Sequence, residues 1–294
     1  MNHVIELDRV SKHFGEKKSV DGISLQIEAG SVVALLGPNG AGKTTTVSLL
    51  LGLMKPTAGS VRLLGGSPKD ASVRERVGAM LQEGSVIDDL KVEETIRLFR
   101  SYYNNPLSTD ELLAISSLQK ERNQFATALS GGQRRRLSFA LAMAGNPDVI
   151  FLDEPTVGMD ISSRTLFWET IRSFAGSGRT IIVTTHYLEE ADGIADRVVI
   201  MNQGRVLADG TIEQIRESST GNQHVSFIAG PSVTLKSLYD ITGVTDVQRE
   251  GNRVKVFGSD TDRILFGVVQ QGLDIRDISV HKGGLVEAYQ SLVG

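Results

Sequence analysis

The chain has 294 residues, 31 Lys and Arg against 35 Asp and Glu, a formal net charge of −4 and no cysteine. That length accommodates one large domain and a small one, and 40% hydrophobic content is enough for a packed core. The missing cysteines exclude disulfides and thiolate metal sites, and the acidic balance argues against nucleic acid as a partner. No run of eighteen apolar residues is present to cross a bilayer as a helix, and the first nine residues lack the basic-then-apolar layout of a signal peptide.

In chain order, residues 4–7 and 23–27 alternate as short strands, with Asp21-Gly22 and Ala29-Gly30 as turns. An apolar run at 31–36 leads into the octet 37–44 and a helical stretch at 45–51. Residues 59–65 and 77–81 read as strands, the second ending at Gln82. From Lys91 the apolar spacing becomes helical, Asn104-Asn105-Pro106 breaks it, and Ser108 and Glu111 stand at capping-box spacing before a second helix. Residues 91–145 therefore read as a helical subdomain inserted into an α/β core. That core resumes with an apolar strand at 148–153, a helix at 162–175, a strand at 180–185 and a helix at 187–195. A hairpin around 202–205 and a helix at 211–216 close the domain.

The stretch 217–223 is polar and pattern-free, so it reads as a linker between a first domain at 1–217 and a second at 224–294. Beyond it come a strand (224–229), a helix (231–241), a hairpin around 248–252, a helix (260–271), a strand (273–280) and a last helix (284–292). This βαββαβ order predicts a small α+β sandwich of ferredoxin-like type. His224 and His281 within it read as isolated structural residues.

The octet Gly37-Pro38-Asn39-Gly40-Ala41-Gly42-Lys43-Thr44 fits the phosphate-binding pattern G-x-x-x-x-G-K-[ST] between a strand and a helix. Its glycines let backbone N–H groups close around a phosphate chain, and the helix that follows points its positive end at the same anion. Lys43 reaches the outer phosphates, and the Thr44 hydroxyl offers one coordination position to Mg²⁺. Asp153 and Glu154 follow a buried strand. In an NTPase the first holds Mg²⁺ directly or through water, and the second polarises the attacking water as general base. His186 stands at a strand's carboxyl end, where parallel α/β sheets bind ligands. Leu129-Ser130-Gly131-Gly132-Gln133 precedes a helix expected to begin near Arg134, and forms a second anion site or a plain N-cap.

Together these segments resemble the nucleotide-binding subunit of an ATP-binding-cassette (ABC) transporter. Residues 37–45, through Thr45, match the Walker A loop, Gln82 the Q-loop glutamine, 129–133 the signature, and 149–154 Walker B with its catalytic glutamate. Val157-Gly158-Met159-Asp160 matches the D-loop and His186 the switch histidine, while Phe14 sits where an aromatic ring stacks on adenine. Met159 and Ile161 stand where Leu and Pro are the commoner residues. The resemblance covers residues 3–216. It implies a P-loop NTPase α/β fold and Mg²⁺-dependent ATP hydrolysis, with Glu154, His186 and Gln82 catalytic and Thr44, Gln82 and Asp153 around the metal. It also implies a homodimer sandwiching two ATP molecules head to tail, with Ser130, Gly131 and Gly132 meeting the nucleotide of the other copy and Gln133 and Asp160 also binding nucleotide. A separate permease would hold the protein at the cytoplasmic face of the membrane, docked in the groove near Gln82. The run 133–136, residues 185–192 and the C-terminal appendix are similar to exporters of the multidrug and antibiotic-resistance subfamily. An importer ATPase shares the chemistry and differs in its partner, and a soluble ATPase acting on ribosomes or DNA is the more distant alternative.

Overall fold

Three segments rich in apolar residues, Val32–Leu36, Val149–Asp153 and Thr180–Thr185, form neighbouring parallel strands in which every residue is buried. Successive side chains on a strand point to opposite faces, so strands buried throughout require cover on both sides. The computed structural model describes residues 3–82, 87–176, 178–217 and 223–281, together with Leu285, Val286, Tyr289 and Val293. It supplies that cover twice over.

Along the chain, β1 (His3–Phe14) and β2 (Lys17–Glu28) pair antiparallel, β3 (Val32–Leu36) leads into α1 (Lys43–Leu50), and β4 (Ala58–Leu63) pairs with β1. After α2 (Ala71–Arg74) and β5 (Val77–Met80) come α3 (Val92–Arg100), α4 (Thr109–Ile115) and α5 (Gly131–Met143). Then follow β6 (Val149–Asp153), α6 (Ile161–Ala175), β7 (Thr180–Thr185), α7 (Leu188–Asp192), β8 (Arg197–Asn202) and β9 (Arg205–Gly210). The main sheet runs β5-β6-β7-β3-β8-β9, parallel through β8. The first compact unit spans Met1–Asp209.

The two faces separate residue by residue. Val33 and Leu35 of β3, Val149 and Phe151 of β6 and Ile182 of β7 pack with Val47 and Leu49 of α1 and with Ile5 and Leu25 of the three-stranded sheet. Val32, Ile150, Leu152, Ile181 and Val183 pack on the other face with Leu137 and Phe139 of α5 and Phe167 of α6. The Phe139 and Phe167 rings meet edge to face at 5.3 Å. Ile96 of α3 and Leu112 of α4 belong to this same cluster, so the inserted helices share the core of the sheet.

Two local expectations are corrected. The strands expected at 4–7 and 23–27 run twelve residues each, and Asp21-Gly22 is not a turn. It lies inside β2 where the register shifts between Val10↔Ile23 and Lys12↔Val20, a bulge that Gly22 serves with φ 68°. The chain reverses instead at Gly15, φ 59°. The helix expected from Arg134 begins at Gly131, because Ser130 and Gln133 close a capping box that draws both glycines into the first turn.

The second compact unit spans Gly210–Gly294. It holds α8 (Ile212–Glu217), β10 (His224–Ala229), α9 (Leu235–Tyr239), β11 (Val244–Glu250), β12 (Arg253–Gly258), α10 (Thr261–Gln270) and β13 (Ile275–His281). Its four strands pair antiparallel in the order β11-β12-β10-β13, the ferredoxin-like arrangement expected. Val225, Phe227, Val254 and Val256 bury against Leu238 of α9 and Ile264 and Val268 of α10. The helices expected over 187–195 and 231–241 are shorter than the sequence pattern implied. Residues 218–222 of the linker and most of the helix expected over 284–292 lie outside the described residues. His224 and His281 are not isolated: they are register partners with rings stacked 4.5 Å apart, and Phe257 flanks His224 at 4.9 Å.

Candidate functional site

A cleft of about 490 Å³ opens at the carboxyl ends of β3, β6 and β7. Asn39 to Thr45 line it together with Gln82, Glu154, Val157 and His186. The geometry follows from parallel pairing: Leu36 is in register with Thr185, and Asp153 with Thr184, so the loops leaving the three strands converge.

The phosphate loop is set by contacts as much as by freedom. Gly42 takes φ 103°, and a Cβ on it would lie 2.4 Å from the Ser19 carbonyl oxygen. A Cβ on Gly37 would lie 2.3 Å from that of Met201. Lys43, 7% exposed, donates to the carbonyl oxygens of Gly37 at 2.7 Å and Pro38 at 3.4 Å, and its Nζ sits 3.8 Å from Glu154 Oε1. Burial pushes the Lys43 ammonium below the usual lysine range, and Glu154 and Asp153 pull it back up.

Asp153 is fully buried. Its Oδ1 accepts from Thr44 Oγ1 at 3.3 Å and from Thr184 Oγ1, while its Oδ2 has no hydrogen-bond partner among the described residues. A buried carboxylate oxygen without a donor, on a carboxylate already bonded to the Thr44 hydroxyl of the cleft wall, belongs to the oxygen donors that a hard divalent cation takes. The residues present thus fit Mg²⁺.

Glu154 adopts φ 48°, a left-handed conformation that costs a non-glycine residue about 1–3 kcal/mol. Two hydrogen bonds hold it there, from its N–H to the Thr184 carbonyl oxygen (3.1 Å) and hydroxyl (3.0 Å). The turn aims the side chain back over the sheet end, where Oε2 meets His186 Nδ1 at 2.8 Å. Since an ionised carboxylate only accepts, the ring donates through Nδ1, which leaves Nε2 for another partner.

The remaining expected residues lie off this cleft wall. Ser130 caps α5, accepting from Gln133 N at 3.2 Å and donating its own N–H to Gln133 Oε1 at 2.8 Å. A Cβ on Gly132 would meet Ser163 at 3.5 Å and one on Gly131 would meet Gly158 at 3.9 Å, so the start of α5 flanks residues 158–163. Asp160 caps α6, and its hydrogen bonds from Ser162 and Ser163 hold its carboxyl well below the usual range. Phe14 is half exposed at the end of β1, in register with Lys17, which does line the cleft. Sequence reasoning missed Lys17, Ser19 and Thr184. Ser19 reaches Thr45 through a 2.8 Å hydroxyl pair across β2 and α1, and no local motif marks it. Thr184 had one available signal, its place two residues before His186.

A family model described as ABC transporter matches residues 20–157. The daunorubicin resistance ATP-binding protein DrrA3 of Streptomyces coeruleorubidus is 34% identical over 304 aligned residues, covering 99% of this chain and 96% of that protein. The chain belongs to the ATP-binding subunits of ABC transporters. It is 38% identical over 239 residues to a Nod factor export ATP-binding protein I of Paraburkholderia xenovorans, covering 79% of each. Among solved structures, the ATP-binding subunit of an ABC transporter superposes with a TM-score of 0.67 at 28% identity, covering 73% of this chain and 92% of that one. A dimeric cassette bound to ADP and Pi in a post-hydrolysis state gives 0.64 at 26%, covering 70% and 98%. This ABC subunit is an ATPase, and no helix among its described residues is long and apolar enough to cross a membrane.

Gly42→Ala should weaken ATP binding by about tenfold or more. A non-glycine residue pays roughly 1–2 kcal/mol for left-handed backbone, and 1.4 kcal/mol is a factor of ten. Calorimetric titration with ATP checks this, and affinity equal to the wild type would show that the loop tolerates a side chain facing Ser19.

Proposed function

We propose that this subunit hydrolyses ATP to power export of a drug, antibiotic or other amphipathic compound through a separate permease chain. The observation that carries the chemistry is the convergence of Lys43, Asp153, Glu154 and His186 at three adjacent strand ends. The full-length likeness to a drug-resistance ATP-binding protein supports the direction of transport.

In the reading offered, Lys43 exchanges the carbonyl oxygens of Gly37 and Pro38 for the β and γ phosphates. The N–H groups of residues 39–45 surround the phosphate chain, and Phe14 stacks on the adenine at the rim. Glu154 orients the attacking water and accepts its proton. His186 and Gln82 hold the γ-phosphate from either side. Thr44, Asp153 and Gln82 would hold Mg²⁺, which would supply positive charge against the phosphate oxygens. Ser130, Gly131, Gly132, Gln133 and Asp160 act on the nucleotide of a second copy, so that two ATP molecules join two subunits head to tail. Gly131 and Gly132 lie against the segment that carries Asp160, and all five residues lie off the cleft wall, which supports this division of labour. Hydrolysis removes the γ-phosphate bridges and the pair opens.

The permease is assigned to an apolar groove of about 330 Å³ between the sheet and the inserted helices, lined by Leu53, Leu81, Phe99, Tyr103 and Leu141. Leu53 is 62% exposed there, and Leu81 immediately precedes Gln82, so a partner seated in the groove senses γ-phosphate contact directly. That docking holds the subunit at the cytoplasmic face of the membrane. The catalytic domain expected at 1–217 and the accessory domain expected at 224–294 differ from the two compact units in α8, which groups with the second; the accessory part regulates the cassette or stabilises its dimer.

Glu154→Gln should lower turnover by about 10²–10⁴-fold, the usual worth of a general base, and trap an ATP-bound dimer. Size-exclusion chromatography with Mg-ATP reads the dimer, and a mutant that stays monomeric while the wild type turns over contradicts the sandwich. Truncation after Gln223 should leave a folded protein that binds ATP but differs in dimer lifetime. A truncated chain that is folded by circular dichroism and cannot bind ATP overturns the division into domains.

A further inference from the structure

His186 and Glu154 leave different strands, so their 2.8 Å contact requires two loops to keep one spacing. Four residues after His186, on α7, Glu190 is 8% exposed. A buried carboxyl group needs partners, and this one finds them on both loops. Its Oε1 accepts from Thr156 Oγ1 at 2.7 Å, and its Oε2 from Thr185 Oγ1 at 3.0 Å. Thr156 lies two residues after Glu154, and Thr185 immediately precedes His186. Both threonines are 1% exposed, so water does not substitute for these bonds. Thr185 Oγ1 also accepts from Tyr187 N at 2.9 Å, fixing the backbone on both sides of His186.

A third element joins the same group. Arg164 Nε lies 3.4 Å from Glu190 Oε1, and its guanidinium rests 4.8 Å over the Tyr187 ring, which itself lies 4.0 Å from the His186 ring. Arg164 belongs to the first turn of α6, its N–H bonded to the Asp160 carbonyl oxygen at 2.9 Å. One carboxyl group therefore fastens the loop after β6, the loop after β7 and the start of α6.

We propose that Glu190 is a positioning residue for ATP hydrolysis. It holds Glu154 and His186 at their working separation and links that separation to the segment carrying Asp160. This rests on the catalytic reading of Glu154 and His186 given above. Glu190 itself touches neither of them and lines no part of the cleft. Its effect passes through the two threonines and the backbone they hold.

The test is steady-state ATPase kinetics on the full chain. Glu190→Ala should lower kcat by about 10- to 100-fold, the scale of a small misplacement of reacting groups, with KM for ATP changed less than about twofold. Glu190→Gln, which keeps the size and one accepting oxygen, should recover most of kcat. In a His186→Ala background, Glu190→Ala should cost nothing further, because residues that act as one unit are not additive. If Glu190→Ala does not fold, Thr185→Val takes its place, with the same expected loss and the same non-additivity. A kcat within about twofold of wild type, or single losses that multiply in the double variant, overturns the proposal. A His186→Ala protein that keeps full activity instead overturns the catalytic reading of His186, and this inference with it.

Discussion

The rest of the first unit depends on keeping charged groups buried at the ends of three parallel strands. Lys43, Asp153 and Glu154 are each at most 7% exposed. Burying such groups is costly unless each is paired, so their positions are tightly constrained. Lys43 is met by Glu154 and two loop carbonyl oxygens, Glu154 by His186, and one oxygen of Asp153 by two threonine hydroxyls. Only Asp153 Oδ2 is left over among these contacts, and it is the oxygen the metal reading uses.

That pairing holds only in one strand register. Sliding β6 by one residue against β7 would send Asp153 to the opposite face and bring Phe151 out of its cluster. The two packed faces oppose such a slip, since Val149 and Phe151 fill one core while Ile150 and Leu152 fill the other. Apolar packing therefore fixes polar groups at a distance: the carboxylates of Asp153 and Glu154 stay in place because the residues before them fit two different cores. The left-handed backbone at Glu154 fits the same picture. Its cost is tolerated because Thr184 holds the Glu154 N–H twice, and the gain is a carboxyl group turned towards Lys43 and His186.

Much of this was legible in the sequence, for identifiable reasons. The buried strands announce themselves as unbroken apolar runs, and the phosphate loop, the Asp153-Glu154 pair and His186 occupy fixed places at their ends. The capping box at Ser108 is a local signal that the structure reproduces, while at Ser130, expected as an anion site or plain N-cap, a capping box with Gln133 starts the helix three residues earlier than expected. What the sequence hid was non-local. Asp21-Gly22 carries turn chemistry but serves a bulge, because pairing with β1 continues through it. Ser19 reaches the cleft only through tertiary packing against Thr45, and His224 meets His281 only because β10 and β13 pair. Periodicity reports which face of an element is buried, not which distant residue waits there.

The most direct test is a crystal structure of the full chain with Mg²⁺ and a non-hydrolysable ATP analogue. Lys43 Nζ should leave the Gly37 carbonyl oxygen for the β and γ phosphate oxygens, with the metal against Thr44 and Asp153 Oδ2 and the γ-phosphate between Glu154 and His186. A nucleotide seated away from this cleft, or bound while Lys43 keeps its contact with Gly37, would contradict the assignment of these strand ends as the ATP site.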